Sequence, residues 1–337
     1  MQAVYLRAPK EIQIKDIPSP VRCPGEALVR VRATGVCGSD ITAYRGINPT
    51  VVYPLVVGHE SAGDIIEVDP NSSDLKLGNR VVVEPYLACG RCYPCSLGRT
   101  NNCQYLQVRG VHVNGTMAEY ISHPERLLHK IPEHMSWIDA SLSEPLSIAL
   151  HAVHRAEIKP GEHVVITGAG TIGLLVAQVT IKLGAIPIVI DPMTARLAVA
   201  RSMGLTYAIE PGAETIETVR EITNGRMAEV LIEASGAESA ITQALDHVAY
   251  AGRVVLVGWP KKAIATEYFK FIRKELDVRG SRNSAGEIPE AVRLIAAGQV
   301  QLHSFISSIV DLAKAPEAIV QQAASPEQFI KVVSTRS

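Results

Sequence analysis

The sequence predicts an α/β protein in which a β-rich domain precedes a doubly wound parallel sheet. Up to about residue 130, short alternating strands separated by turn residues indicate a partly open barrel or sandwich. Beyond residue 145, buried apolar strands alternate with helical segments, which is typical of a parallel sheet covered by helices. The length of 337 residues exceeds the usual size of one domain, so two domains are expected.

The overall composition excludes several classes of protein. Hydrophobic residues make up 47% and charged residues 20% of the chain, as in ordinary globular proteins. The formal net charge of −1 offers no field for nucleic acid, and no apolar run is long enough to predict a membrane span. Residues 1–7 lack the pattern of a signal peptide, and six cysteines are too few for a disulfide scaffold at this length. These features favour a protein of the reducing cytoplasm that binds neither nucleic acid nor a membrane.

The β-rich region shows a clear alternation at residues 27–33. Val29, Val31 and Ala33 lie on one face of this predicted strand, and the two arginines between them lie on the other. Turn residues separate three further predicted strands, at 63–68, 80–83 and 117–121.

A thiol, an imidazole and a carboxylate occur close together in this region. Cys37 is followed after a short loop by His59 and Glu60, and flanking glycines let the backbone turn so that these side chains converge. Zn²⁺ takes such a ligand set when it also keeps an open position for substrate. Taken alone, Cys37 and His59 indicate a buried thiol and a packed imidazole, but the motifs in the rest of the chain favour a metal site.

Four cysteines form a second pattern, C-x2-C-x2-C-x7-C, within fifteen residues. They are Cys89, Cys92, Cys95 and Cys103. Four thiolates at this spacing predict a closed tetrahedral site for structural zinc, with an iron–sulfur cluster as the rival. The polar residues 99–102 indicate an exposed lobe rather than a buried cluster pocket, which favours zinc. Its predicted role is local, because the lobe is too small to bury enough apolar surface by itself.

The second half opens with a predicted helix at 146–156 and a buried strand at 162–167. A G-x-G-x-x-G turn follows the strand, a helix follows the turn, and the next strand, 186–190, ends at Asp191. In this context the glycines form a dinucleotide fingerprint, with the pyrophosphate at the helix N-terminus. Asp191 can accept from both ribose hydroxyls and would repel a 2′-phosphate, which favours NAD over NADP. Arg196 could serve a 2′-phosphate, but beside Asp191 we expect it to cover the adenine.

Alternating units then continue to the end of the chain. Strands are predicted at 230–233, 253–258, 275–278 and 329–333, and a helix at 288–297.

With these motifs in place, the chain resembles the zinc-dependent medium-chain dehydrogenases/reductases over essentially its whole length. The motifs that carry the resemblance are Cys37-Gly38-Ser39-Asp40, Gly58-His59-Glu60, the four-cysteine lobe, Glu144-Pro145 and Gly168-x-Gly170-x-x-Gly173. Glu144 stands where the alcohol dehydrogenases of this family carry a cysteine, and so points to the sorbitol (polyol) dehydrogenase-like branch. Gly110-Val111-His112 and Gly280-Ser281-Arg282-Asn283 look most like bacterial dehydrogenases of sugar acids and polyols.

The resemblance implies a GroES-like catalytic domain at 1–148 and 283–337, with the structural zinc lobe at 89–103, around a Rossmann domain at 149–282. It implies two zinc ions per chain and catalytic ligands Cys37, His59 and either Glu60 or Glu144. The cofactor-binding residues it implies are Gly168, Gly170, Thr171, Ile172, Gly173, Asp191, Arg196 and Lys331. Lys331 matches a basic position near the cofactor pyrophosphate. A homotetramer or homodimer is usual for such families.

The implied chemistry is oxidation of an alcohol by hydride transfer. Zinc lowers the pKa of the substrate hydroxyl, so that an alkoxide forms near neutrality and a hydride passes to the nicotinamide. Ser39 can take the hydroxyl proton. Two departures affect details: Thr42 replaces a frequent relay histidine, and Thr116-Met117 replaces a common Gly-Phe.

His112 and Arg282 are candidate substrate contacts. Either side chain could bind a carboxylate or several hydroxyls, or could serve only the cofactor or backbone packing.

We therefore predict a zinc- and NAD-dependent oxidoreductase that converts a secondary alcohol of a polyol or sugar acid to the ketone. Oxidation of an L-threonine-type amino alcohol is the alternative within the enzyme class. A methyltransferase could use the glycine turn but needs no metal ligands. A non-catalytic nucleotide-binding module would keep only the structural zinc.

Overall fold

The computed structural model describes residues 1–336 and divides into two compact units. Unit 1 contains residues 1–144, 288–302 and 306–336. Unit 2 contains residues 145–287 and 303–305. No helix among the described residues is both long enough and apolar enough to cross a membrane.

Strands and helices follow one another along both units. The strands of the described chain are β1 Gln2–Ala8, β2 Glu11–Asp16, β3 Glu26–Val36, β4 Leu55–Val56, β5 Glu60–Glu67, β6 Arg80–Val83, β7 Tyr86–Leu87, β8 Gln107–Val108, β9 Tyr120–Pro124, β10 Leu128–Lys130, β11 His163–Thr167, β12 Ile186–Ile190, β13 Tyr207–Ile209, β14 Ala228–Glu233, β15 Val248–Leu256, β16 Asp277–Gly280, β17 Ile306–Asp311 and β18 Lys331–Thr335. The α-helices are α1 Gly38–Tyr44, α2 Tyr93–Ser96, α3 Trp137–Ser141, α4 Ser143–Ala156, α5 Thr171–Lys182, α6 Thr194–Ser202, α7 Thr215–Ile222, α8 Glu238–Gln243, α9 Tyr268–Lys274, α10 Ile288–Ala296 and α11 Ala315–Ala324.

Unit 1 is built around a mixed sheet with the order β10-β6-β5-β3-β18-β17, in which β9 also pairs with β3. The long strand β3 alternates buried and partly buried residues, as its apolar–arginine alternation predicts. β18, from the end of the chain, pairs antiparallel with β3, and Val332 lies opposite Val36. A strand from the last residues of the described chain therefore completes a sheet whose other strands come mainly from its first 130 residues, and the prediction of a β-rich first domain is confirmed.

Unit 2 contains a six-stranded sheet with the order β13-β12-β11-β14-β15-β16, and every pair in it is parallel. β11 is buried along its whole length, as a strand covered on both faces must be. The strand order reverses at β11, which pairs with β12 on one side and with β14 on the other. Ligands bind at such a point, beyond the carboxyl ends of the strands. The predicted doubly wound sheet is confirmed.

Several strand boundaries differ from the sequence predictions, and two of the differences have a clear physical reason. The strand predicted at 117–121 begins at Tyr120, because the backbone of Met117 pairs with Val4 and Val57 instead of with β3. The strand predicted at 275–278 begins at Asp277, because Glu275 adopts a left-handed conformation (φ 49°) that ends α9.

Candidate metal and dinucleotide sites

Unit 1 brings one thiol, one imidazole and one carboxylate to a common point. Ligand atoms of Cys37, His59 and Glu60 all lie within 4.8 Å of one another. Cys37 immediately precedes α1, and Glu60 is the first residue of β5, so two rigid elements fix the ligands. His59 and Glu60 are buried, and Cys37 is partly buried.

Asp40 joins the two ligand segments. Its carboxylate accepts a hydrogen bond from the backbone N–H of Cys37 at 2.8 Å and another from that of Gly58 at 3.0 Å. The side chain is only 1% exposed. One buried carboxylate therefore holds the residue that bears the thiol next to the residue that precedes the imidazole.

The electrostatics of this point favour a cation. Burial opposes protonation of His59, yet the negative groups Cys37, Asp40 and Glu144 outweigh it and raise the pKa of His59 well above its usual value. Burial and the neighbouring Glu60 raise the pKa of Glu144 to about 7, although His59 and Tyr86 oppose the shift. An excess of negative charge in a buried place is what a divalent ion offsets.

Glu60 is held by a buried ammonium. Lys331 Nζ donates to Glu60 Oε1 at 2.7 Å and to Oε2 at 2.5 Å, and also to the carbonyl of Val36 at 3.0 Å. Gly35 leaves room for this carboxylate, since a Cβ there would lie 2.0 Å from Oε2. The resemblance assigned Lys331 to the cofactor pyrophosphate. In the structure its ammonium pairs with Glu60, since a fully buried lysine needs an anion beside it, and the pyrophosphate contact stays a prediction.

Glu144 lies outside the group of three ligands. Among residues 1–336 it does not join Cys37, His59 and Glu60 in a set whose ligand atoms are all within 4.8 Å of one another. Its Oε1 accepts a hydrogen bond from the hydroxyl of Tyr86, and both side chains are buried.

The residues at this point fit a zinc ion. His59 Nδ1 and Ser39 Oγ are buried, and neither has a hydrogen-bond partner within the described chain. A buried polar atom without a partner costs free energy that a ligand can recover. One thiolate, one imidazole and one carboxylate are also the donors that zinc prefers in sites that keep a position open.

The four cysteines of the lobe converge as their spacing predicts. All four ligand sulfurs lie within 4.8 Å of one another, and none forms a disulfide. The Sγ atoms of Cys92 and Cys95 are 3.4 Å apart and those of Cys92 and Cys103 are 3.8 Å apart. A tetrahedron with Zn–S bonds of about 2.3 Å has edges of about 3.8 Å, so the lobe fits a closed zinc site.

Unit 2 carries the predicted glycine turn between β11 and α5. Gly168 has φ +102°, which only glycine adopts readily, and a Cβ on Gly173 would lie 1.8 Å from the carbonyl oxygen of Gly168. Gly170 faces open space, because the nearest atom to a Cβ there is Arg196 Nη1 at 4.0 Å. Turn, access and close helix–strand packing thus belong to three different glycines, as a pyrophosphate site requires. Thr171 and Ile172 form the first turn of α5.

Asp191 closes the strand next to this turn and is buried. Its Oδ2 accepts from the backbone N–H of Ala169 at 2.7 Å, and its Oδ1 accepts from that of Met193 at 2.8 Å. A carboxylate oxygen can accept more than one hydrogen bond, so ribose hydroxyls can still bind there. Arg196 Nη1 lies 3.9 Å from Asp191 Oδ2 and 4.0 Å from the place of a Cβ on Gly170, so the guanidinium lies beside the glycine turn.

The candidate substrate residues lie in different units. His112 belongs to unit 1, and its Nδ1 accepts from the backbone N–H of Val108 at 2.9 Å. Arg282 belongs to unit 2 and follows shortly after β16.

The two departures from the family pattern are also accounted for. Thr42 donates to the carbonyl of Ser39 at 3.0 Å, inside α1. The Thr116 hydroxyl pairs with Ser61 Oγ at 2.5 Å in a buried group that also includes Thr34. Met117 packs against Gly58, where a Cβ would lie 2.6 Å from its Cγ.

Sequence reasoning missed Tyr86 and the role of Asp40. The aspartate could have been found from its position, because a carboxylate three residues after the start of a short helix often binds the backbone there. Tyr86 offered no such signal, since its partner Glu144 is 58 residues away.

Two family matches cover most of the chain. Residues 23–133 match the family described as alcohol dehydrogenase GroES-like domain, and residues 171–297 match the family described as zinc-binding dehydrogenase. These matches confirm the resemblance and the GroES-like fold that the motifs predicted.

Relatives match over nearly the full length. An uncharacterized zinc-type alcohol dehydrogenase-like protein of Haemophilus influenzae is 43% identical over 334 residues, which cover 98% of each chain. An L-galactonate-5-dehydrogenase of Escherichia coli is 35% identical, with 99% of each chain covered. Among solved structures, an alcohol dehydrogenase of Escherichia coli in complex with NADH is 30% identical and superposes with a TM-score of 0.93, covering 100% of this chain and 99% of that one.

Proposed function

The chain belongs to the zinc-binding medium-chain alcohol dehydrogenases, and on this premise we propose that it oxidises a secondary alcohol of a polyol or sugar acid to the ketone, with NAD as the hydride acceptor. The convergence of Cys37, His59 and Glu60 carries this assignment. A methyltransferase or a non-catalytic module has no need of these three ligands. The L-galactonate-5-dehydrogenase among the relatives supports the sugar-acid class.

The reaction removes a hydride from the carbinol carbon and a proton from its hydroxyl, which gives a ketone, NADH and a proton. A zinc ion held by Cys37, His59 and Glu60 supplies a Lewis acid that lowers the pKa of the alcohol, and NAD supplies the hydride acceptor. Ser39 follows the thiol ligand by two residues, and its Oγ has no hydrogen-bond partner in the described chain, so it can take up the hydroxyl proton. Thr42 stands where many members of the family carry a relay histidine, so the proposed exit of the proton is by water or a ribose hydroxyl of the cofactor.

The glycine turn and Asp191 support NAD as the cofactor. Gly170 leaves space for a pyrophosphate, and the carboxylate of Asp191 stands where it would repel a 2′-phosphate. Arg196 Nη1 lies beside Asp191 and Gly170, which supports a contact of its guanidinium with the cofactor, and its cover over the adenine stays a prediction.

A homo-oligomer is the proposed assembly, with the exposed edge of the unit 2 sheet as an interface. β16 is the last strand of that sheet, and an open edge strand is a template for pairing with another chain. Large apolar side chains on β15, β16 and α9 are exposed. They are Tyr250, Leu256, Tyr268, Phe269, Ile272 and Val278. A second copy would cover them. In a Val278→Lys variant we expect light scattering to show a smaller particle than for the unaltered protein, whereas an unchanged mass would exclude this edge.

The proposed location is the cytoplasm. All six cysteines are free thiols, including the four that converge in the lobe, and such a cluster survives only where thiols stay reduced.

NADH formation across a panel of polyols, aldonates and threonine tests the proposed reaction, with NADP⁺ in place of NAD⁺ as the control. Turnover with aldonates alone would assign a carboxylate contact to Arg282 or His112, and turnover with neutral polyols would make hydroxyl recognition sufficient. Turnover with threonine alone would favour the amino-alcohol reaction. If a protein with two zinc ions per chain formed no NADH with any compound of the panel, polyols and sugar acids would be rejected as the substrate class.

A further inference from the structure

The metal centre of unit 1 has two buried carboxylates beside it, and they have different partners. Glu60 forms an ion pair with the ammonium of Lys331. Glu144 accepts from a neutral phenol, the hydroxyl of Tyr86. The first carboxylate belongs to the convergent ligand group and the second does not.

The side chain of Tyr86 is fixed by its packing against the cysteine lobe. The tyrosine is 3% exposed, and it packs in an apolar cluster with Cys92, Cys103 and Leu106 of the cysteine lobe. A side chain fixed in this way directs its hydroxyl to one place. The hydrogen bond therefore ties the carboxylate of Glu144 to a residue that packs against the lobe.

The number of protein ligands gives a reason for holding Glu144 back. Cys37, His59 and Glu60 are three converging ligands, the number that a catalytic zinc site takes from the protein. A fourth protein ligand would fill the position that a substrate hydroxyl needs. The hydrogen bond to Tyr86 supplies a competing partner for Glu144 in a buried place, where a carboxylate must have one.

We propose that Tyr86 is a positioning residue which holds Glu144 beside the metal rather than on it, and so keeps one coordination position open. This inference rests on the proposed zinc site at Cys37, His59 and Glu60. Removing the hydroxyl in Tyr86→Phe keeps the ring in its cluster and releases the carboxylate, which then binds the metal as an additional protein ligand.

The rate at which the purified protein loses zinc to a coloured chelator tests this role. The released carboxylate adds a protein ligand, so the Tyr86→Phe variant is expected to lose the zinc of the Cys37 site about tenfold more slowly than the unaltered protein, a rise of about 1.4 kcal/mol in the barrier to release. Zinc of the lobe is identified with Cys37→Ser, which retains only that ion. Slower release distinguishes positioning from a structural role, because a loosened site would release its metal faster. Tyr105→Phe, which alters an exposed tyrosine near the same lobe, is the matched control and is expected to change nothing.

A second variant makes the assignment specific to Glu144. Adding Glu144→Gln to Tyr86→Phe removes the released carboxylate, so the release rate should return to that of the unaltered protein. Faster release from Tyr86→Phe would overturn the inference, because Tyr86 would then orient Glu144 as a ligand. An unchanged rate would overturn it as well. If Cys37→Ser contained as much zinc as the unaltered protein, the proposed site itself would fail, and the inference with it.

Discussion

Lys331 carries a buried positive charge beside the metal ligand Glu60. Its ammonium has two carboxylate contacts and one carbonyl contact, and the side chain is 2% exposed. A buried ammonium without an anion is unstable, and so is the buried carboxylate of Glu60 without a cation. Each residue therefore fixes the other, and together they hold the carboxylate at Cys37 and His59.

Replacing Lys331 with methionine should destabilise unit 1. The change leaves the Glu60 carboxylate buried without its partner, and we expect the free energy of unfolding to fall by about 3–5 kcal/mol. Urea denaturation of the chelator-treated proteins measures the loss. The double variant Lys331→Met/Glu60→Gln should recover most of it, since no buried charge remains. Unchanged stability together with a higher KM for NAD would instead support a pyrophosphate contact for Lys331.

His123 provides a pH-dependent contribution away from the metal centre. Burial, reinforced by the charge of Arg109, lowers the pKa of His123 well below its usual value. Its Nδ1 accepts from Arg109 Nε at 2.7 Å, and its Nε2 lies 2.9 Å from the carbonyl of Glu84, so the neutral ring satisfies both neighbours.

The sign of this effect follows from the two states. Below about pH 6.5 the unfolded chain takes up a proton at His123 that the folded chain refuses, so stability is lost as the pH falls, by up to about 1.4 kcal/mol per pH unit. Urea denaturation between about pH 6.5 and 5 should show a steeper loss for the unaltered protein than for His123→Gln, whose amide can make both hydrogen bonds. Equal slopes would mean that His123 does not stay neutral in the folded state.

At the scale of elements, two glycines of the β11–turn–α5 unit have different roles. One allows the helix to pack closely against the turn, and the other leaves space for the cofactor. Gly173 lies in α5 against the carbonyl oxygen of Gly168 in the turn. Gly170 precedes the first residue of α5 and faces open space. The same chemical change at these two positions should therefore have different consequences.

Gly173→Ala is expected to lower the free energy of unfolding of unit 2 by at least about 1–3 kcal/mol, because the new methyl meets backbone 1.8 Å away.

Gly170→Ala should keep stability within about 1 kcal/mol, since nothing but Arg196 Nη1 lies within 4.0 Å. It should raise the Kd for NADH at least about tenfold, or about 1.4 kcal/mol, by blocking the pyrophosphate. Thermal unfolding and NADH fluorescence titration measure the pair. Tight NADH binding by Gly170→Ala would place the cofactor elsewhere.

The elements that could be predicted are those whose pattern lies within a short segment. Residues 186–190 were predicted as a strand and form β12, and the helix at 288–297 corresponds to α10, because alternation and helical spacing are local properties. The boundary at Met117 was missed because its hydrogen bonds go to Val4 and Val57, which local pattern cannot reveal.

At the scale of the whole molecule, the metal ligands could be predicted from local sequence, but the residues that hold them in place could not. Cys37, His59 and Glu60 lie close in sequence, and the spacing of the four cysteines is itself a signature, so both metal sites could be proposed from the sequence. The supports come from distant segments: Lys331 is 271 residues from Glu60, and Tyr86 is 58 residues from Glu144. Chain folding alone brings them together, as when β18 completes the sheet beside β3.

Zinc content together with NADH formation, measured on the unaltered protein and on Cys37→Ser, tests the central claim most directly. The unaltered protein should contain two zinc ions per chain, as its two convergent ligand groups indicate, and should form NADH with a polyol or an aldonate. Cys37→Ser should keep the zinc of the four-cysteine lobe, lose the other ion and form no NADH. A Cys37→Ser protein that retained both zinc ions and full turnover would contradict the assignment of this site.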